Sequence, residues 1–150
     1  MKTVRTSESR FEAIPDFPYE PQYRDWQGMR LAHYDVGDGP AVLLQHGEPT
    51  WGYLWRKVML PLLEAGYRCV VPDLPGFGRS DKPVDDQWYS FDRYTASVVT
   101  LIDDLDLLDT TLVCHDWEDR SDCVRQPSSG PNASRHWSPW IRESLLAIRR

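Results

Sequence analysis

The stretch "TLVCHDWEDRSD" (residues 111–122) decides how this chain is read. With Thr110 before it, "TTLVCH" is a short apolar and β-branched run of the kind that forms a core strand, and it delivers a carboxylate, Asp116, at its carboxyl end. An Asp just after a strand is often only a helix N-cap. Here two further acids, Glu118 and Asp119, follow where a tight strand-to-helix turn has little room for large charged side chains. The sequence changes character at Trp117.

Upstream, the pattern is regular. "AVLLQ" (41–45) and "YRCVVPD" (67–73) are short continuous apolar runs, as fully buried strands are, and "MRLAHYDVG" (29–37) alternates apolar and polar residues like a half-buried strand. Between them "WGYLWRKVMLPLLEAG" (51–66) has apolar residues at helical spacing and ends in Gly, with Pro61 expected to kink or divide it. "FDRYTASVVTLIDDLDLL" (91–108) returns to helical periodicity, and the Pro- and aromatic-rich residues 1–28 read as an irregular arm. Strand, helix, strand, helix, strand gives an α/β fold with a mostly parallel sheet flanked by helices. In such sheets the chemistry lies at the carboxyl ends of the strands, here just after Gln45, Val71 and Cys114.

Composition narrows the partners. The 150 residues carry a net charge of −6 and are 41% apolar, ordinary for one globular domain, and the acidic balance argues against nucleic acid or an anionic membrane as the main partner. No apolar run approaches the roughly 18 residues needed to span a bilayer, and the first residues have no apolar signal core, so the expected location is cytoplasmic. Cys69, Cys114 and Cys123 form no C-x-x-C pair and read as reduced thiols; neither they nor the acid-rich "DDLDLLD" (103–109), whose leucines keep helical spacing, make a metal site.

Two segments carry the chemistry. In "HGEPTWGYLW" (46–55), Gly47 lets the chain turn sharply after a strand, so that the main-chain N–H of Glu48 can face a pocket, although an HG dipeptide alone is usually an ordinary loop. In "VCHDW", Asp116 stands where a nucleophile elbow carries its reactive side chain; a carboxylate there suits displacement at an sp³ carbon, giving an alkyl ester that water hydrolyses.

Taken together, "HGEPTWGYLWRKV", "VVPDLPGFGRSDKPVDDQWYSFD" and "TLVCHDW" resemble the haloalkane dehalogenases, in particular those with Glu after the HG, nearly continuously from about residue 4 to Trp117. The resemblance implies the N-terminal half of an α/β-hydrolase fold, truncated before the cap, and conversion of a haloalkane and water to an alcohol and halide without metal or organic cofactor. It implies that Asp116 is the nucleophile, and that Trp117 binds the halide through its indole N–H. The backbone N–H groups of Glu48 and Trp117 would form the oxyanion hole. The partners implied are a small halogenated organic substrate and the halide ion. The cap halide ligand, the distal acid and the His base of the family have no match here, and none of His33, His46, His115 or His136 stands where a base is expected.

Residues 118–150 depart from the family, which has Gly-Gly after the Trp. They hold six Ser, six Arg and no Lys, and their charge is +2 against −8 for residues 1–117. Loss of one G after the Trp117 codon accounts for this. Back-translated and reread in the earlier frame, "WEDRSDCV" becomes "WGGPIGLR" and "PNASRHWSPWIRE" becomes "PERVATLVAVDTG", an elbow helix and a core strand; positions 123 and 137 are forced to Leu and 141 to Asp. The chain is therefore divided into 1–117, the N-terminal part of a hydrolase domain, and 118–150, an out-of-frame tail, with an inactive product expected. Two alternatives stand beside this reading: an epoxide hydrolase, which shares the fold and the Asp nucleophile but usually carries an aromatic residue where Glu48 stands, and a non-catalytic fragment.

Overall fold

The run Ala41–Gln45 is apolar at almost every position because its strand, β4, is covered on both faces and flanked on both edges. The computed structural model describes residues 1–107 and 109–116. Its strands are β1 (Thr3–Val4), β2 (Gln22–Trp26), β3 (Met29–Val36), β4, β5 (Arg68–Pro72), β6 (Lys82–Pro83) and β7 (Thr111–Cys114); its α-helices are α1 (Arg56–Glu64) and α2 (Phe91–Asp104). Five strands form one sheet in the order β2-β3-β5-β4-β7. β4 runs parallel to β5, with Leu43 opposite Val70, and to β7, with Val42 opposite Thr111 and Gln45 opposite Cys114. The other two pairings, β2 with β3 and β3 with β5, are antiparallel. The parallel part of the sheet is thus the part that carries Gln45, Val71 and Cys114.

Side chains alternate across the sheet as strand geometry requires. Val42, Leu44, Cys69 and Val71 point to one face, where they pack with Tyr34, Trp55 and Met59. Leu43 and Val70 point to the other, against Tyr94, Val98, Leu101 and Ile102 of α2. Leu43 and Leu44 are both fully buried, and burial of each contributes about 1.5–3 kcal/mol.

Two expectations are corrected. Residues 1–28 are not wholly irregular: Gln22–Trp26 forms β2, joined to β3 by a two-residue turn in which Gln27 (φ 55°) and Gly28 (φ 77°) both adopt positive φ, the geometry that suits a tight hairpin. Pro61 does not divide its helix. It lies in the second turn of α1, where it forgoes the backbone bond to Lys57, yet the helix runs on to Glu64 with Met59 packed in the core, and a separate 3-10 turn, Gly52–Trp55, precedes the helix. α1 ends with Gly66 at φ 84° and the Tyr67 N–H on the Leu62 carbonyl (3.0 Å), a glycine C-cap.

The first residues of the chain fasten the loop that follows β5. β1 pairs with β6, Arg5 donates to both carboxylate oxygens of the buried Asp81 (2.6 and 2.8 Å), and Glu8 accepts from Arg30 and Arg79. Among the described residues no helix is long and apolar enough to cross a membrane, and no group of three His, Cys, Asp or Glu could hold a metal ion.

Candidate active site

Three loops converge beyond the carboxyl ends of β4, β5 and β7. The register of β7 against β4 runs one residue past the strand, the His115 N–H donating to the Gln45 carbonyl at 3.1 Å. The next residue, Asp116, has φ 71°. That left-handed conformation costs a residue with a Cβ roughly 1–2 kcal/mol, and it lifts the carboxylate off the strand line toward the β4 loop.

The loop after β4 receives it. The Glu48 N–H donates to Asp116 Oδ2 at 3.2 Å. Gly47 makes the approach possible, since a Cβ there would lie 2.4 Å from the Asp116 Cβ and 2.5 Å from the His115 carbonyl oxygen. The Glu48–Pro49 peptide is cis. The Glu48 carboxylate faces the hydroxyl of Tyr94 on α2, whose pKa is raised first by burial and then by that carboxylate.

His46, fully buried, is the hinge of this loop. Its Nε2 accepts the Leu74 N–H at 3.0 Å, so the ring proton resides on Nδ1, which donates to the Gly47 carbonyl at 2.8 Å. Burial pulls its pKa from 6.5 down to about 4, the Gly47 carbonyl opposing that fall and the nearby His115 adding to it. Both ring nitrogens are therefore engaged away from Asp116.

Asp73, at the end of β5, ties the loops together. Its Oδ1 accepts the Gly52 N–H (2.8 Å) and its Oδ2 the Arg79 N–H (2.9 Å), while its carbonyl accepts from Ser80 Oγ (2.6 Å). A Cβ on Gly78, which has φ 48°, would meet Asp73 Oδ2 at 2.3 Å. Burial pushes the Asp73 pKa up from 3.8 to about 6, against the pull of the Arg79 and Gly52 N–H groups and the positive charges of Lys82 and Arg79.

The structure thus brings together Asp116 and the Glu48 N–H. Trp117 lies outside the described residues, as do Glu118, Asp119 and the rest of 118–150. His33 sits buried within β3, apart from the loops. Sequence reasoning passed over Asp73, whose signal was an acid directly after a buried strand, followed by Gly78, whose missing side chain leaves it room. A carboxylate with one oxygen held by a backbone donor can, in general, act as a nucleophile through its other oxygen.

The sequence profile of the α/β hydrolase fold matches residues 40–117, just over half of the chain, and the chain belongs to that family. Within it, the chain is 45% identical over 124 residues to a haloalkane dehalogenase of Mycolicibacterium paratuberculosis (strain ATCC BAA-968 / K-10), covering 78% of this chain and 41% of that protein. Its structure matches that of a haloalkane dehalogenase from Paraglaciecola agarilytica NO2 with a TM-score of 0.75 at 47% identity, over 78% of this chain and 42% of that one. An epoxide hydrolase of Vigna radiata matches at a TM-score of 0.62 and 36% identity, over 66% of this chain and 32% of that one. The chain spans about two fifths of the length of the dehalogenases it resembles.

Proposed function

We propose that residues 1–117 carry the nucleophile half of a haloalkane dehalogenase, with Asp116 as the attacking group. The observation that carries this reading is the Glu48 N–H on Asp116 Oδ2, 3.2 Å away, at a left-handed elbow. With Oδ2 held, Oδ1 attacks the sp³ carbon: a C–O bond forms as the carbon–halogen bond breaks, and the halide leaves with the electron pair. The indole N–H of Trp117 receives the halide. Oδ2 then becomes the carbonyl oxygen of the alkyl ester, and the charge it gains when water adds falls on the Glu48 N–H and the backbone N–H of Trp117.

The second half of the reaction needs a base, and among the described residues no histidine ring is hydrogen-bonded to Asp116, whose bonded partner is the Glu48 N–H. Residues 118–150 are read as out of frame, so this chain is expected to be alkylated once and not turned over. Restoring one G after the Trp117 codon should open a frame of about 170–190 further residues with a distal His and an acid, a normal one-domain size. An early stop in the restored frame would end this account of the tail.

The test on the chain itself is intact-mass measurement after incubation with a 1-haloalkane or with a terminal epoxide. The reading expects mass gain of the alkyl group on Asp116, absent in Asp116→Asn. Reaction with the epoxide alone would favour epoxide opening by the same carboxylate, the Vigna radiata relative being an epoxide hydrolase.

A further inference from the structure

A trans peptide holds its C=O and its N–H on opposite sides of one rigid plane, so whatever grips the carbonyl aims the N–H. The Gly47–Glu48 peptide is gripped on its carbonyl side by three donors: His46 Nδ1 at 2.8 Å, Thr50 Oγ1 at 2.8 Å and the Thr50 N–H at 3.1 Å. On its other side the same plane directs the Glu48 N–H to Asp116 Oδ2. The grip is itself anchored. His46 cannot rotate, because its Nε2 holds the Leu74 N–H at the end of β5 and its ring lies edge-on to Phe77, centroids 5.6 Å apart. Thr50 is half-buried.

We propose that His46 and Thr50 are positioning residues for the Glu48 donor: acting through the Gly47 carbonyl, they fix the direction of the Glu48 N–H and strengthen it toward the oxygen of Asp116. The strengthening follows from polarisation along a chain of hydrogen bonds. Donors on a carbonyl draw charge through the amide and leave its N–H more positive, an effect enlarged in a buried setting. A tight turn needs only the Thr50 N–H on Gly47; the hydroxyl and the imidazole on the same oxygen are additional. The imidazole also has only one tautomer available, and it is the one that donates to Gly47. This inference rests on the role proposed for Asp116, but its first readout does not.

That readout is ¹⁵N and ¹H NMR of the 150-residue chain. His46 should show a protonated, pyrrole-type Nδ1 and a pyridine-type Nε2. The Glu48 amide proton should move upfield in Thr50→Val and return in Thr50→Ser, which restores the hydroxyl. A proton on His46 Nε2, or a Glu48 amide indifferent to Thr50→Val, overturns the proposal whether or not the chain reacts with any haloalkane. The second readout is the rate of alkylation of Asp116 by a 1-bromoalkane, followed by intact mass against substrate concentration. Thr50→Val should lower the maximal rate about tenfold, a part of what loss of a whole oxyanion donor costs, with the half-saturating concentration unchanged; Thr50→Ser should come back to near the parent rate. An equal maximal rate in Thr50→Val and the parent overturns the catalytic consequence. Failure of the parent itself to react counts against the dehalogenase reading, and the NMR result then decides the positioning.

Discussion

Gly47 and Asp116 stand so close that a single methyl group on Gly47 would lie 2.4 Å from the Asp116 Cβ. The obstruction is not a flexible side-chain end. The second atom in the way is the His115 carbonyl oxygen, part of the backbone, at 2.5 Å. Gly47→Ala must therefore push the elbow off the β4 loop. It should cost about 1–3 kcal/mol of stability and slow alkylation of Asp116 by at least about tenfold, since misplacement by an ångström is expensive in rate. Denaturant melts and intact-mass kinetics check the two parts; a parent-like alkylation rate would show that the contact does not position the carboxylate.

The positive φ of Asp116 gives a comparison free of the side chain's chemistry. Asp116→Gly and Asp116→Ala both remove the carboxylate and its bond to Glu48. Only the alanine must still carry a Cβ at φ 71°. The glycine variant should be the more stable of the two by about 1 kcal/mol, read from urea midpoints. Equal midpoints would mean that the elbow relaxes out of the left-handed region once the carboxylate is gone.

Two buried groups should give opposing slopes of stability with pH. The folded chain holds the Asp73 proton more tightly than the unfolded chain does, with a pKa of about 6 against 3.8, so this group's contribution declines as pH rises from about 4 to 6. His46 is the reverse: its folded pKa of about 4 lies below 6.5, the unfolded chain binds the proton first, and stability increases with pH between about 4 and 6.5. In the parent chain these slopes offset one another. Asp73→Asn removes one of them and should expose the other, so that stability rises more steeply with pH across this window than in the parent. Asn also offers a single acceptor oxygen to the Gly52 and Arg79 N–H groups, lowering stability throughout by about 1–3 kcal/mol. Thermal melts across the window check this; parallel curves for the two proteins would remove Asp73 as a titrating group.

Halide release should stop early. With no base supplied by the described residues, the chain should release no more than about one halide per molecule, the stoichiometry of ester formation without hydrolysis. Ion chromatography against time gives the answer, and sustained release would mean that a base exists outside the described residues.

The parallel strands were legible because burial on both faces leaves a sequence little choice: "AVLLQ" and "RCVVP" are apolar without alternation. Glu48 and Asp116 drew attention in the sequence because each stands within three residues of the end of such a strand, Gln45 or Cys114. β2 was not. Its residues, "QYRDW", bury only Trp26, for the strand lies at the edge of the sheet with β3 as its one neighbour in the described fold. The work of His46 and Asp73 was hidden for another reason. Their partners are main-chain N–H and C=O groups of Gly47, Leu74, Gly52 and Arg79, and a sequence names side chains, not the direction of a peptide.

The three-donor grip on the Gly47 carbonyl also sets an order of assembly. His46, Thr50 and the Leu74 N–H that locks the imidazole all lie within the first 74 residues, and Asp73 and its partners within the first 80. As the nascent chain leaves the ribosome, N-terminal end first, the cradle for a carboxylate oxygen is complete in sequence some forty residues before Asp116 is made. The seat is synthesised ahead of its occupant.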